Sequence, residues 1–100
     1  MSASKIAVEE RPTSEGWEFH VLIQDPDGSR SEHVVTLKQA DYRRLIGGKS
    51  EVSPAKLVEE SFRFLLEREP KESILSRFEL PVIGRYFPEY ERELARRLGG

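Results

Sequence analysis

Apolar residues recur with period two near the start of the chain and with helical spacing after its middle, which predicts a small sheet first and helices second. Ile6 and Val8 alternate with Lys5, Ala7 and Glu9 as a short edge strand would, and Pro12 stops that run. Whether this piece joins the sheet as a third strand is left open by the pattern. Thr13 to Gly16 reads as a turn. Trp17, Phe19, Val21 and Ile23 then share one face of a segment whose other face carries Glu18, His20 and Gln24, the clearest strand in the chain. Asp25-Pro26-Asp27-Gly28 is a hairpin turn: Pro26 presets φ for its second position, and Gly28 accepts the left-handed conformation of a following bulge. If residues 25 and 29 close the hairpin, Trp17 faces Leu37, Phe19 faces Val35, Val21 faces His33, and Glu18 faces Thr36. A slip of one residue would set Phe19 against Val34 and Val21 against Glu32. The first register gathers more of the apolar side chains on one face.

Thr36-Leu37-Lys38-Gln39 matches a capping box and predicts a short helix from about Leu37 to Ile46, ended by Gly47-Gly48. Ser53-Pro54 is a second start signal, because serine caps free amides and proline at the first helical position sacrifices no hydrogen bond. From Pro54 to Glu69, Leu57, Val58, Phe62, Leu65 and Leu66 form a broad apolar stripe that Phe64 widens. Pro70 is expected to open another helix, Lys71 to Phe78, with Ile74, Leu75 and Phe78 on its inner side. Val82 to Phe87 reads as a short helical piece, and Pro88 to Leu98 as a last helix with Tyr90, Leu94 and Leu98 stacked.

Together these elements predict an α+β domain over roughly residues 5 to 98, with an N-terminal antiparallel meander of two or three strands followed by three to five helices packed on one face. Residues 1–4 and 99–100 are expected to be loose. At 100 residues, 37% hydrophobic and 34% charged, the chain is long and apolar enough for one core. Sixteen Lys and Arg against eighteen Asp and Glu leave a formal charge of −2, which removes any long-range attraction to phosphate backbones or acidic membranes. The absence of cysteine excludes disulfides, thiolate metal sites and a cysteine nucleophile. With no apolar run of signal-peptide or membrane-spanning length, a cytoplasmic protein without membrane contact is the default expectation.

Several motifs that carry chemistry elsewhere fail on spacing. Gly47-Gly48-Lys49-Ser50 resembles the end of a P-loop, but Arg43 stands where the first glycine is needed and a helix precedes it. Ser53-Pro54-Ala55-Lys56 matches Ser-x-x-Lys without its partner motifs, and a helix cap explains the serine. Asp25 and Asp27 are spaced like calcium-loop ligands, yet glycine comes at the fourth position and no glutamate at the twelfth. His20 and His33 fall on opposite faces in the preferred register, so no shared metal ion is expected, and neither is a cofactor.

Arg85-Tyr86-Phe87-Pro88-Glu89-Tyr90-Glu91-Arg92 concentrates aromatic and arginine side chains, the types enriched in binding surfaces. Arg85, Tyr86, Phe87, Tyr90 and Arg92 are therefore the candidate surface for a protein partner, with an aromatic corner closing the core as the plainer explanation. Residues 33 to 68 are similar to ribbon-helix-helix repressors and antitoxins in their strand, helix, polar turn and long helix. That resemblance implies a dimer whose paired strands enter the major groove, with Thr36 and Lys38 as readers and Ser53 on phosphate. Ile74 to Pro81 also looks like the start of a helix-turn-helix unit, with Glu79 in place of the turn glycine. The C-terminal half, Phe62-Arg63-Phe64-Leu65-Leu66-Glu67-Arg68-Glu69-Pro70 through Tyr86-Phe87-Pro88-Glu89-Tyr90, resembles a small family of uncharacterised bacterial proteins, which implies a free-standing bacterial cytoplasmic protein and nothing about mechanism.

No nucleophile, base and metal constellation stands out. The expectation is thus a non-enzymatic protein-interaction module, with a dimeric DNA-binding regulator or antitoxin as the alternative. A small-ligand protein, with a pocket between the sheet and the aromatic corner, is the third class. A homodimer is compatible with all three.

Overall fold

A computed structural model describes residues 4–49 and 51–99. The period-two segments form strands β1 (Lys5–Pro12), β2 (Gly16–Gln24) and β3 (Arg30–Lys38). They make an antiparallel meander in which Trp17 faces Leu37, Phe19 faces Val35, Val21 faces His33 and Glu18 faces Thr36, the register that gathers apolar residues on one face. The turn closes as its residues require: Asp25 N–H donates to the Ser29 carbonyl, Gly28 N–H donates to the Asp25 carbonyl, and Gly28 takes φ 89°. Gly16, at the other end of β2, is needed for a different reason. A Cβ there would lie 2.1 Å from the Leu37 carbonyl oxygen.

The helices are α1 (Gln39–Ile46), α2 (Pro54–Leu66), α3 (Ile83–Tyr86) and α4 (Tyr90–Arg97). Ser53 caps α2, its side chain accepting from Lys56 N–H at 3.1 Å, with Pro54 in the first turn. The expected capping box at Thr36 does not form. Strand β3 runs on to Lys38, no side chain caps α1, and Thr36 is held in the sheet with ladder partners on both sides. Two ladders outweigh one cap. Helix α2 also ends three residues before Glu69: Arg68 and Glu69 N–H both fold back on the Leu65 carbonyl.

The larger correction lies between residues 71 and 79. The helix expected over Lys71 to Phe78 is a 3-10 turn (Lys71–Ser73) followed by an extended piece and a fourth strand, β4 (Arg77–Glu79). It pairs parallel to β3, Val35 facing Phe78, so the sheet is mixed and ordered β1-β2-β3-β4. The segment extends because β3 has a second edge to satisfy: Val34 N–H donates to the Ser76 carbonyl at 2.8 Å. As a result Leu75 turns outward instead of inward.

Phe19, Val21, Ile23, Val35 and Leu37 are buried on one sheet face, in one apolar cluster with Leu57, Val58, Phe62 and Leu65 of α2. Tyr90 and Leu94 of α4 complete it. Each such side chain contributes about 1.5–3 kcal/mol. The opposite face carries Glu18, His20, Glu32 and Arg77, half-buried or exposed. His20 and His33 lie on opposite faces. Of the ends expected to be loose, Ser4 donates from Oγ to Asp25 at 2.6 Å and Gly99 N–H donates to the Arg96 carbonyl at 3.2 Å; residues 1–3 and 100, and Ser50 of the P-loop-like stretch, lie outside the described residues.

Candidate functional site

The redirection at β4 shapes a groove. Once α2 unwinds after Leu66, the chain passes Glu69, makes its 3-10 turn and extends along β3, while α3 returns beside it. Between them lies a cavity of about 280 Å³. Buried Leu65, Ile74, Phe78 and Ile83 supply its apolar wall. Phe78 is set by Phe62 behind it, ring centroids 5.9 Å apart. Half-buried Phe87 also lines it, and is held edge-on against Phe64 at 5.9 Å.

Two further lining residues, Leu75 at 46% and Tyr86 at 66% exposure, are large apolar side chains left in solvent. Half-buried Glu69 also lines the groove, and its carboxylate has no ion-pair or side-chain hydrogen-bond partner among the described residues. The site thus combines apolar wall, exposed lip and one uncompensated negative charge.

A buried lysine anchors the start of this segment. Lys71, whose side chain is 2% exposed, donates its three N–H bonds to Asp25, Ser29 Oγ and Glu72, each at 2.7 Å. The Asp25 hydrogen bond is the chief reason that its pKa is pushed up to about 12. Asp25 and Glu72 are in turn held below the usual carboxylate range, mainly by Lys71. An ammonium so held is charged and has no spare donor. It serves as a clasp between the hairpin turn and the groove segment, not as a nucleophile.

His33 makes a second tie. The Leu75 carbonyl can only accept, so Nδ1–H donates to it at 2.7 Å, and Nε2 shares a hydrogen bond with Ser31 Oγ at 2.8 Å. Its ring packs 5.5 Å from that of Phe62. Among the described residues, no group of three or more His, Cys, Asp and Glu side chains is placed to hold a metal ion.

The residues expected at a partner surface divide. Tyr86 and Phe87 line the groove; Arg85 on α3 and Arg92 on α4 are exposed but lie outside its lining. Tyr90 is a correction, because it is fully buried. Its hydroxyl donates to Ser61 Oγ at 2.7 Å, Ser61 donates to the Leu57 carbonyl at 2.8 Å, and burial pushes the phenol pKa up. The stacking expected of Tyr90 with Leu94 on one helix face fits this burial, since Leu94 is fully buried too. Glu69 and Lys71 carried no local signal, and the helical spacing of Leu75 pointed it inward, since their roles depend on β4 pairing with a distant strand.

The nucleic-acid candidates do not converge. Thr36 faces Glu18 on one side and Glu79 on the other, two carboxylates that oppose a phosphate backbone. Lys38 is exposed at the end of β3, and Ser53 is engaged in its helix cap. Strand β3 lies between β2 and β4, so it lacks the free edge that a ribbon-helix-helix dimer pairs. The segment proposed to open a helix-turn-helix is extended or in β4 from Ile74 to Glu79. No helix among the described residues is long and apolar enough to cross a membrane. The chain matches no family model, no curated protein and no solved structure, so the resemblances of its two halves carry no functional argument.

Proposed function

We propose that this chain is a non-enzymatic protein-interaction module whose groove takes a large apolar side chain of a protein partner, with a lysine or arginine of that partner set against Glu69. The observation that carries this reading is that Leu75 and Tyr86, large apolar side chains exposed to solvent, border one apolar groove. Charge complementarity supplies the cation, since the Glu69 carboxylate has no ion-pair or side-chain hydrogen-bond partner among the described residues. At about 280 Å³ the groove sits below the roughly 300–1,000 Å³ of pockets that enclose a drug-sized ligand, and one face of it is open. An anchor side chain on a larger surface suits it better.

The test is selection from a displayed random-peptide library against the purified chain. Enriched peptides should carry Leu, Ile, Met or Phe beside Lys or Arg. Leu75→Asp should abolish their binding, and Glu69→Lys should invert the charge preference. Absence of enrichment, or binding indifferent to both substitutions, would sink the proposal.

A further inference from the structure

Strand β1 is an open edge of the sheet, and the hairpin geometry fixes which of its backbone groups are free. Asp25 N–H bonds the Ser29 carbonyl, so alternation along the ladder makes Ile23, Val21, Phe19 and Trp17 bond toward β3. Gln24, Leu22, His20 and Glu18 then bond toward β1, where they face Lys5, Ala7, Glu9 and Arg11. The N–H and C=O groups of Ile6, Val8 and Glu10 are left pointing away from the sheet. Pro12, which has no N–H, belongs to the same outward set.

We propose that a second copy of this chain pairs with that edge, β1 against β1 antiparallel about Ala7, joining two four-stranded sheets into one. Continuity of the covered face requires that even residues meet even and odd meet odd. Among such registers, the one centred on Ala7 sets Ile6 against Val8 twice, both with free backbone groups, and Lys5 against Glu9 twice. Centring on Val8 would oppose Lys5 to Arg11 and Ile6 to Glu10; centring on Glu9 would oppose Glu9 to itself. Charges on an edge usually keep strands apart. Here they reject the registers centred on Val8 and Glu9, while centring on Ile6 sets Lys5 against Ala7 and forgoes both Lys5–Glu9 pairs. Ile6 and Val8 are only half-buried, whereas Val21 and Ile23, which they face, are buried, so the second copy would cover apolar surface that the monomer leaves partly wet.

Sedimentation equilibrium of the full chain should give a concentration-dependent dimer. Lys5→Glu and Glu9→Lys should each weaken it by about tenfold or more, since each turns two attractive pairs into repulsive ones, and the two together should restore it. Because the chain has no cysteine, Ala7→Cys supplies a clean reporter. Residues on the two-fold axis form a non-hydrogen-bonded pair about 4.5 Å apart, within disulfide reach, so mild oxidation should link the two copies. A monomer at every concentration overturns the proposal, as does a double variant that stays weak. A dimer broken by Leu75→Asp but indifferent to Lys5→Glu overturns it in favour of association through the groove.

Discussion

The meander and the segment from Lys71 to Phe87 are built by opposite rules. In the meander each strand finds its partner across a short turn, so side-chain alternation and turn chemistry together set the register. In the later segment the partner is far away. His33 and Leu75, joined by a hydrogen bond, are 42 residues apart in the chain. Local preference there pointed to a helix, and a distant strand edge prevailed. Short-range pairing makes a region readable; long-range pairing makes it dependent on everything folded before it.

Substitutions can break or sharpen this contrast. The largest effect is expected at the centre of the meander: Phe19→Ala should cost about 3–5 kcal/mol in urea unfolding, since Phe19 is fully buried. Phe78→Ala on β4 should cost less, because that ring borders the groove and its neighbours can relax into the space. Equal losses would erase the distinction between the regions.

Lys71→Met cuts the clasp between them, and its effect should show as pH dependence. Lys71 is raised on folding, so its contribution is complete below its ordinary value of 10.5 and lost as pH climbs through about 12. Asp25 is lowered, so its contribution is present above its ordinary value of 3.8 and lost as pH falls through its depressed folded value. In the variant both limbs of the stability profile should flatten. Unchanged limbs would mean that the clasp adds nothing in solution.

Tyr90→Phe should cost about 1–2 kcal/mol, for the lost bond to Ser61 in a buried site. Ser53→Ala should cost about 1 kcal/mol by removing the α2 cap. The smallest change in stability, within about 0.5 kcal/mol, is expected for Tyr86→Ala at the groove lip, although peptide binding should fall. A large loss of stability there would return Tyr86 to the core and remove the groove reading.

The candidate site was half legible. Tyr86 and Phe87 stood out as aromatics among prolines and arginines, and both line the groove. Tyr90 carried two signals at once, and the helical spacing with Leu94 was the informative one. Glu69 and Leu75 could not be found from their neighbours in sequence, because a helix through Phe78 would have buried Leu75.

Alternation from Trp17 to Ile23, the Asp-Pro-Asp-Gly turn and the Ser53-Pro54 cap determined by themselves the hairpin register and the start of α2, since each acts through atoms a few residues apart. Only the assembled fold decided that Thr36 stays in the ladder, that residues 77–79 become a strand, and that Lys71 is buried among carboxylates. Those outcomes turn on satisfying hydrogen-bonding groups and charge that other elements bring from far along the chain, which no local pattern records.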